Sequence, residues 1–279
     1  CGLSLTSGNP AWLLITAQAK SSEGSRTLQQ TVKLSAASAN FPLSLYSGNS
    51  ATFSGTPDIQ NQIVYVNGAV SGRSHLNITG TDPTTGMPAG VWATGAIDKP
   101  VYSQDRDKYG PLGPPDNRFT PGELQTRVNP SGLSSLQLST LKSQAIAEGN
   151  YYTSGNFGTV NADSSGNAVL YLDLQTHSTV APQFSWPKPG YVTIVVINGD
   201  VKLTGGAIGS SRAVIYCPDG SVRADGSGHG TFTGLVWAGA GLTDIGNFTF
   251  ALDQDFLNEN PPAYLWSVTR LTHWKEADS

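Results

Sequence analysis

Apolar positions recur along this chain in short runs of two kinds. In the first, apolar and polar residues alternate: Trp12 to Lys20 places Ile15, Ala17 and Ala19 on one face, and Thr27 to Leu34 places Leu28, Val32 and Leu34 on one face. The polar segment 21–26 lies between them, so residues 11–34 are expected to form a β-hairpin. In the second kind the apolar residues are contiguous and end at a glycine-bearing corner. Ile63-Val-Tyr-Val-Asn-Gly-Ala-Val70 is echoed 131 residues later by Ile194-Val-Val-Ile-Asn-Gly-Asp-Val201, identical at the Ile, first Val, Asn, Gly and final Val. Asn-Gly tolerates positive φ, so the chain can turn there without strain.

The second copy continues at fixed pitch. Ile194, Ile215 and Val236 follow one another at steps of 21, and Val201, Val222 and Leu242 at steps of 21 and 20. The turn segments 197–200, 217–220 and 238–241 fall in register between them. In the earlier region, Ser47-Gly48-Asn49 precedes Asn67-Gly68-Ala69 by 20 residues. A pitch of about 20 residues, with an apolar strand on each side of a corner, describes one turn of a stacked β-solenoid. Stacking would place Ile194, Ile215 and Val236 in one interior ladder with a spacing of about 4.8 Å per coil. The expected fold is therefore mainly β: a parallel β-helix with an N-terminal β-hairpin and one capping α-helix. Residues 1–40 are assigned to the hairpin region and 41–279 to the β-helix domain.

An excursion is expected at 81–150. Residues 98–122 concentrate proline and charge and read as a long irregular loop. Leu133, Leu136, Leu141 and Ala145 then mark an amphipathic helix, with Ser131 or Ser134 to cap its start and Gly149 to end it. Its apolar face is expected to cover the open end or a flank of the solenoid, because solenoid ends expose strand edges and interior rungs. Strands resume at Tyr151-Tyr152 and at 168–174. The C-terminal alternation of Trp266, Val268, Arg270, Thr272 and Trp274 reads as a closing or edge strand.

Composition narrows the functional classes. Charged residues are 13% of the 279, against about 25% in an average soluble domain, while Gly numbers 32 and Pro 17. The net charge of −4, with scattered Lys and Arg, argues against a nucleic-acid partner. Low charge with abundant Ser, Thr, Asn and Gly suits an outward-facing surface. The sequence contains no apolar run of 18 residues and no signal-peptide pattern. Cys1 and Cys217 leave three readings open: a disulfide between them, lipidation of Cys1 at a mature start, or two unpaired thiols.

Candidate chemistry is sparse. No metal-ligand spacing of Cys and His occurs, and no cofactor is expected. Asp105, Asp107, Gly110 and Asp116 have partial calcium-loop spacing, but Tyr109 stands where a fifth-position oxygen ligand belongs, and Arg106 and Lys108 oppose a cation. The histidines are His75, His177, His229 and His273. Asp225, Ser227 and His229 alternate with glycines, so they read as a corner rather than as a catalytic triad, whose members converge from different elements. Asp200 and Asp219 lie at corners, and Asp225 and Asp244 elsewhere on their coils; all four read as turn chemistry before acid catalysis. The acceptor patterns at Asn77 and Asn247 carry no claim. The 25 Trp, Tyr and Phe residues are assigned to core and cap, with a sugar-binding surface as the alternative.

The hairpin at 12–34, Pro42-Leu-Ser-Leu-Tyr-Ser-Gly-Asn49 leading into 51–55, the segments 141–154 and 194–205, and Trp274-Lys-Glu276 occur in an order that resembles the extracellular part of PilX-type, pilin-like proteins of the type IV pilus assembly class. The resemblance implies a non-enzymatic cell-surface or pilus-tip subunit involved in assembly or adhesion. Other pilus or filament subunits, or further copies of itself, would be its partners, and surface glycans a further contact. Membrane attachment would come through an N-terminal apolar helix that this chain does not contain, or through a lipid on Cys1. The alternatives are a secreted or lipid-anchored β-helix that binds or cleaves polysaccharide, and a self-assembling extracellular filament subunit.

Overall fold

The computed structural model describes residues 45–73, 76–83, 88–98, 132–182, 186, 190–204, 210–225 and 230–252, and as backbone strands alone 2–5, 12–21, 24–36, 119–121 and 266–276. In chain order the strands are β1 (Gly2–Leu5), β2 (Trp12–Ser21), β3 (Gly24–Ala36), β4 (Leu45–Ser47), β5 (Ala51–Phe53), β6 (Asp58–Gln60), β7 (Ile63–Val66), β8 (Val70–Gly72), β9 (Asn77–Thr79), β10 (Gly90–Ala93) and β11 (Phe119–Pro121). The helix α1 (Ser135–Glu148) follows, then β12 (Tyr151–Tyr152), β13 (Ala168–Val180), β14 (Val192–Thr204), β15 (Ser210–Cys217), β16 (Ser221–Asp225), β17 (Gly230–Ala238), β18 (Gly241–Ile245), β19 (Phe248–Ala251) and β20 (Trp266–Glu276).

Two sheets result. β1, β2, β3 and β20 form an antiparallel sheet in that order. The expected hairpin is β2–β3, with Trp12 opposite Lys33 and Ser21 opposite Gly24. The C-terminal strand is an edge strand, as its pattern suggested, but it borders β3. Residues 266–276 thus join the sheet of the first 36 residues, although the sequence reading grouped them with the coils. The whole solenoid is inserted between two neighbouring strands of this sheet.

The remaining strands wind into a parallel β-solenoid. Its first face is one ladder of inward residues: Leu170, Ile194, Ile215, Val236, Leu45, Val64 and Val91. Past the corner a second inward ladder runs Val180, Val201, Val222, Leu242, Ala51, Val70 and Ile97. A third face carries Phe232, Phe250, Ile59 and Ile78, with the two Phe rings 5.9 Å apart. All the residues of the first ladder are buried. Parallel strands covered on both faces have contiguous apolar sequences, which explains Ile63–Val66, buried at every position.

The stack does not follow chain order. The coils 168–180, 192–204, 210–225 and 230–251 succeed one another, and the next coil is 45–60, followed by 63–79 and 90–97. The chain therefore enters and leaves the solenoid at its middle. At this seam β17, β18 and β19 pair with β4, β5 and β6. Side chains reinforce it: the Leu242 N–H donates to Ser47 Oγ (3.1 Å), the Asp244 N–H to Thr52 Oγ1 (2.9 Å) and the Thr56 N–H to Asn247 Oδ1 (2.8 Å).

The expected ladder of Ile194, Ile215 and Val236 is present, but its echo is shifted by one residue. Ile194 is level with Val64, and Ile63 points to the outer side with Val195. Past the corner the two copies are back in step, with Val70 in the ladder of Val201. The coil from Ile194 to Val201 has one more corner residue than the coil from Val64 to Val70. Asn198, at φ 58°, turns the chain there, and its side chain donates to the Leu174 carbonyl (3.0 Å). A one-residue change exchanges the faces of a strand, so the identical Ile residues face opposite ways.

One further expectation is corrected, and one open reading is narrowed. The excursion does not begin at 81, because β10 and Ile97 form a coil paired with β7 and Val70. Cys217 is fully buried inside the solenoid, its thiol donating to the Gly199 carbonyl at 3.0 Å, and it forms no disulfide. Burial pushes that thiol up to about 12. Cys1 lies outside the described residues.

The corner glycines answer to the neighbouring coil. A Cβ on Gly220 would collide with the Gly199 carbonyl oxygen, and one on Gly239 with the Pro218 carbonyl oxygen. Neither glycine has positive φ, so close coil-to-coil approach is what excludes a side chain there.

Candidate functional site

The outer side of the first face is aromatic where the inner side is aliphatic. One residue along from the inward ladder stand Tyr171, Val195, Tyr216, Trp237, Tyr46, Tyr65 and Trp92, in register from coil to coil. Tyr46 and Trp237 pack with ring centres 4.1 Å apart at a tilt of 38°, and Tyr65 meets Trp92 edge-on at 5.5 Å. All are buried. This ladder is therefore a second core and not the exposed sugar-binding surface weighed above. Burial raises Tyr46, Tyr171 and Tyr216, and pushes Tyr191 up to about 12.

α1 covers part of that ladder, so the helix lies on a flank of the solenoid. Its start is a capping box: the Gln137 N–H donates to Ser134 Oγ (3.3 Å) while the Ser134 N–H donates to Gln137 Oε1 (2.8 Å). Its end is Gly149 at φ 74°, after which the Asn150 N–H returns to the Ala145 carbonyl (2.8 Å). Both caps are among those expected. Leu141 and Ala145 are buried against the sheet, and Leu133, just ahead of the cap, donates its N–H to Tyr216 Oη (3.0 Å). Leu136, expected on the same face, is 76% exposed.

Polar contacts fasten the helix. Lys142 Nζ lies 2.7 Å from Asp173 Oδ2, which also accepts from Tyr151 Oη (3.0 Å). The hydrogen bond to Asp173 raises Lys142 to about 12, and Lys142 holds the Asp173 carboxyl below its ordinary value. Glu148 accepts from the Val169 N–H (3.0 Å), from Asn150 Nδ2 (3.2 Å) and from Gln144 Nε2 (2.8 Å). Asn150, fully buried, exchanges hydrogen bonds with the backbone of Asn161 at 2.8 Å in both directions.

A groove of about 310 Å³ remains between α1 and the first residues of β13 and β14. Leu141, Ala168 and Val169 form its apolar floor, and Gln144, Asn167 and Tyr191 are on its rim.

At the corners, Asp200 ties three coils together. Its Oδ1 accepts from the Ser221 N–H (2.7 Å) and hydroxyl (2.8 Å), and its Oδ2 is 3.0 Å from His177 Nε2. Burial works to raise this carboxyl, but the two Ser221 bonds and His177 outweigh it and hold it below its ordinary value. The order is serine, aspartate, histidine. A nucleophilic triad instead places histidine next to serine, where it can take the hydroxyl proton. Asp200 stands at a corner, as expected, but its carboxylate bonds the neighbouring coils instead of its own turn, and His177 is the partner the sequence reading missed. Arg223 lies 3.8 Å from Asp244, whose φ of 49° marks a turn.

The other candidates separate. Asn77 Nδ2 donates to Asp58 Oδ1 (2.8 Å) and Asn247 Oδ1 accepts from Thr56, so both acceptor-pattern asparagines brace adjacent coils. Asp105, Asp107 and Asp116, along with His75, Ser227 and His229, lie outside the described residues. Among the described residues there is no group of three or more His, Cys, Asp or Glu arranged for a metal.

No protein-family model and no curated protein matches this chain. Among solved structures, it is similar to the crystal structure of the competence-associated pilin ComZ from Thermus thermophilus. The identity is 9% and the TM-score 0.32, over 99% of this chain and 82% of that one.

Proposed function

We propose that this protein is a non-enzymatic, pilin-like subunit of the cell surface, in which the solenoid is a displayed module and the antiparallel sheet belongs to the part that joins neighbouring subunits. The insertion carries this reading. Everything from Leu45 to Leu252 lies between adjacent strands β3 and β20, and the chain enters and leaves the stack at the same level. A module tethered in this way can project from an assembly without altering the pairing of the sheet that holds it. The ordered resemblance of 12–34, 42–55, 141–154, 194–205 and 274–276 to PilX-type proteins supports the same reading.

The chemistry of the coils agrees with a scaffold. Three described carboxylates have structural partners: Asp200 binds Ser221 and Asp58 binds Asn77 on neighbouring coils, and Asp173 holds Lys142 of the helix. Other filament subunits are the proposed partners, and the outer surface of a bacterial cell the proposed location. Immunogold labelling of native cells tests the reading directly. Label along or at the tip of surface filaments is the expected result; label confined to the cytoplasm would overturn it. Release of reducing ends from any polysaccharide by the purified chain would overturn the non-enzymatic part alone.

A further inference from the structure

We infer that the groove between α1 and the starts of β13 and β14 is a binding site for a neutral saccharide. Its dimensions come first: about 310 Å³ is at the small end of ligand pockets, with room for about one or two sugar rings. The arrangement of its lining comes second. A pyranose ring presents a C–H face and an equatorial girdle of hydroxyls. The floor of Leu141, Ala168 and Val169 suits the first, and the rim of Gln144, Asn167 and Tyr191 suits the second. Gln144 donates through Nε2 to Glu148, and Asn167 accepts through Oδ1 from the Tyr191 N–H (3.2 Å). These bonds fix both amides in place while leaving Gln144 Oε1 as an acceptor and Asn167 Nδ2 as a donor. Amides held in this way lose little side-chain entropy on binding.

Charge selects for a neutral ligand. None of the groove-lining residues is ionised at neutral pH. The carboxylates behind them are occupied: Glu148 by Val169, Asn150 and Gln144, and Asp163 by the N–H groups of Ser165 and Asn167. Their negative charge disfavours an acidic sugar. Leu136, 76% exposed at the mouth, extends the apolar floor outward.

The inference does not depend on the pilin-like reading, since a saccharide site would serve a secreted β-helix equally well. The test is saturation-transfer NMR on the purified chain with maltose, N,N′-diacetylchitobiose and glucuronic acid at millimolar concentration. Transfer to at least one neutral disaccharide is expected, with glucuronic acid at least tenfold weaker. Thr140→Trp, an exposed helix position on the groove wall, should fill the site and abolish transfer at unchanged melting temperature. Asn167→Ala should weaken binding severalfold. Three results would overturn the inference: no transfer to either neutral sugar, transfer that survives Thr140→Trp, or glucuronic acid bound as well as the neutral sugars. Concentration-dependent dimerisation abolished by Leu136→Ser would also overturn it, since a second copy would then be the occupant.

Discussion

The coils built from 168–251 and those built from 45–97 form one stack, yet they differ in how they turn. The coils of Ile194 and Ile215 take seven steps to reach the second face, at Val201 and Val222. Those of Val236, Leu45, Val64 and Val91 take six, at Leu242, Ala51, Val70 and Ile97. Corner length changes within the later run, and the seam joins two coils of the same length. The seam joins coils of equal corner length, yet both inward ladders also run on across the unequal step from the coil of Ile215 to that of Val236, so the stack tolerates one residue of difference at a corner. It also teaches that sequence echo and spatial equivalence can differ by a residue, since Ile63 and Ile194 occupy opposite sides of one sheet.

The most costly way to attack this comparison is through the shared interior. Leu45→Ala and Ile215→Ala should each cost about 2–5 kcal/mol. In urea, both variants should unfold in a single transition, shifted by a similar amount. Two separate transitions, each sensitive to one substitution, would mean that the runs are independent bodies.

The corner column should respond next. Gly239→Ala forces a Cβ toward the Pro218 carbonyl and should cost about 1–3 kcal/mol by overpacking. Thermal unfolding would measure it, and a neutral result would show that the coils are less closely stacked than the geometry states. Across the seam, Ser47→Ala removes one of two acceptors of the Leu242 N–H, which keeps its bond to the Ser50 carbonyl (3.3 Å), and should cost about 0.5–1.5 kcal/mol.

The smallest effect belongs to the helix. Lys142 and Asp173 are partly exposed, so their pair should contribute under about 1 kcal/mol. The folded Asp173 carboxyl lies below its ordinary value of 3.8, so this stabilisation is present above that value and is lost as pH falls through the folded one. Asp173→Asn should therefore lower the melting temperature slightly at neutral pH, and the difference from the parent should vanish in acid. A difference that persists in acid would mean that the pair is not its source.

Much of the solenoid was legible because coil pitch is a local property. The 21-residue steps of Ile194, Ile215 and Val236, and the glycine corners between them, follow from one backbone repeating its own turn. Both helix caps were legible for the same reason. The coil at 90–97 was hidden because its short strand, Gly90–Ala93, is followed by a proline- and charge-rich stretch that dominates local pattern. The seam was hidden because the pairing of Leu45 with Val236 joins residues far apart in sequence. At the corners, Asp200 and Ser221 are separated by one 21-residue coil, so their contact was readable from the pitch once corner residues were compared coil to coil. His177 was not, because a bulge between Asp173 and Ser178 breaks the register that would have placed it above Asp200. The groove depends on where α1 comes to rest, which Leu136 misreported by pointing outward.

The seam is the claim on which the rest depends, and methyl–methyl NOE spectroscopy on Leu- and Val-labelled protein tests it most directly. The methyls of Leu45 should give cross-peaks to both Val236 and Val64, the residues above and below them in the inward ladder. Cross-peaks to Val64 without any to Val236 would separate the two runs and contradict the continuous stack.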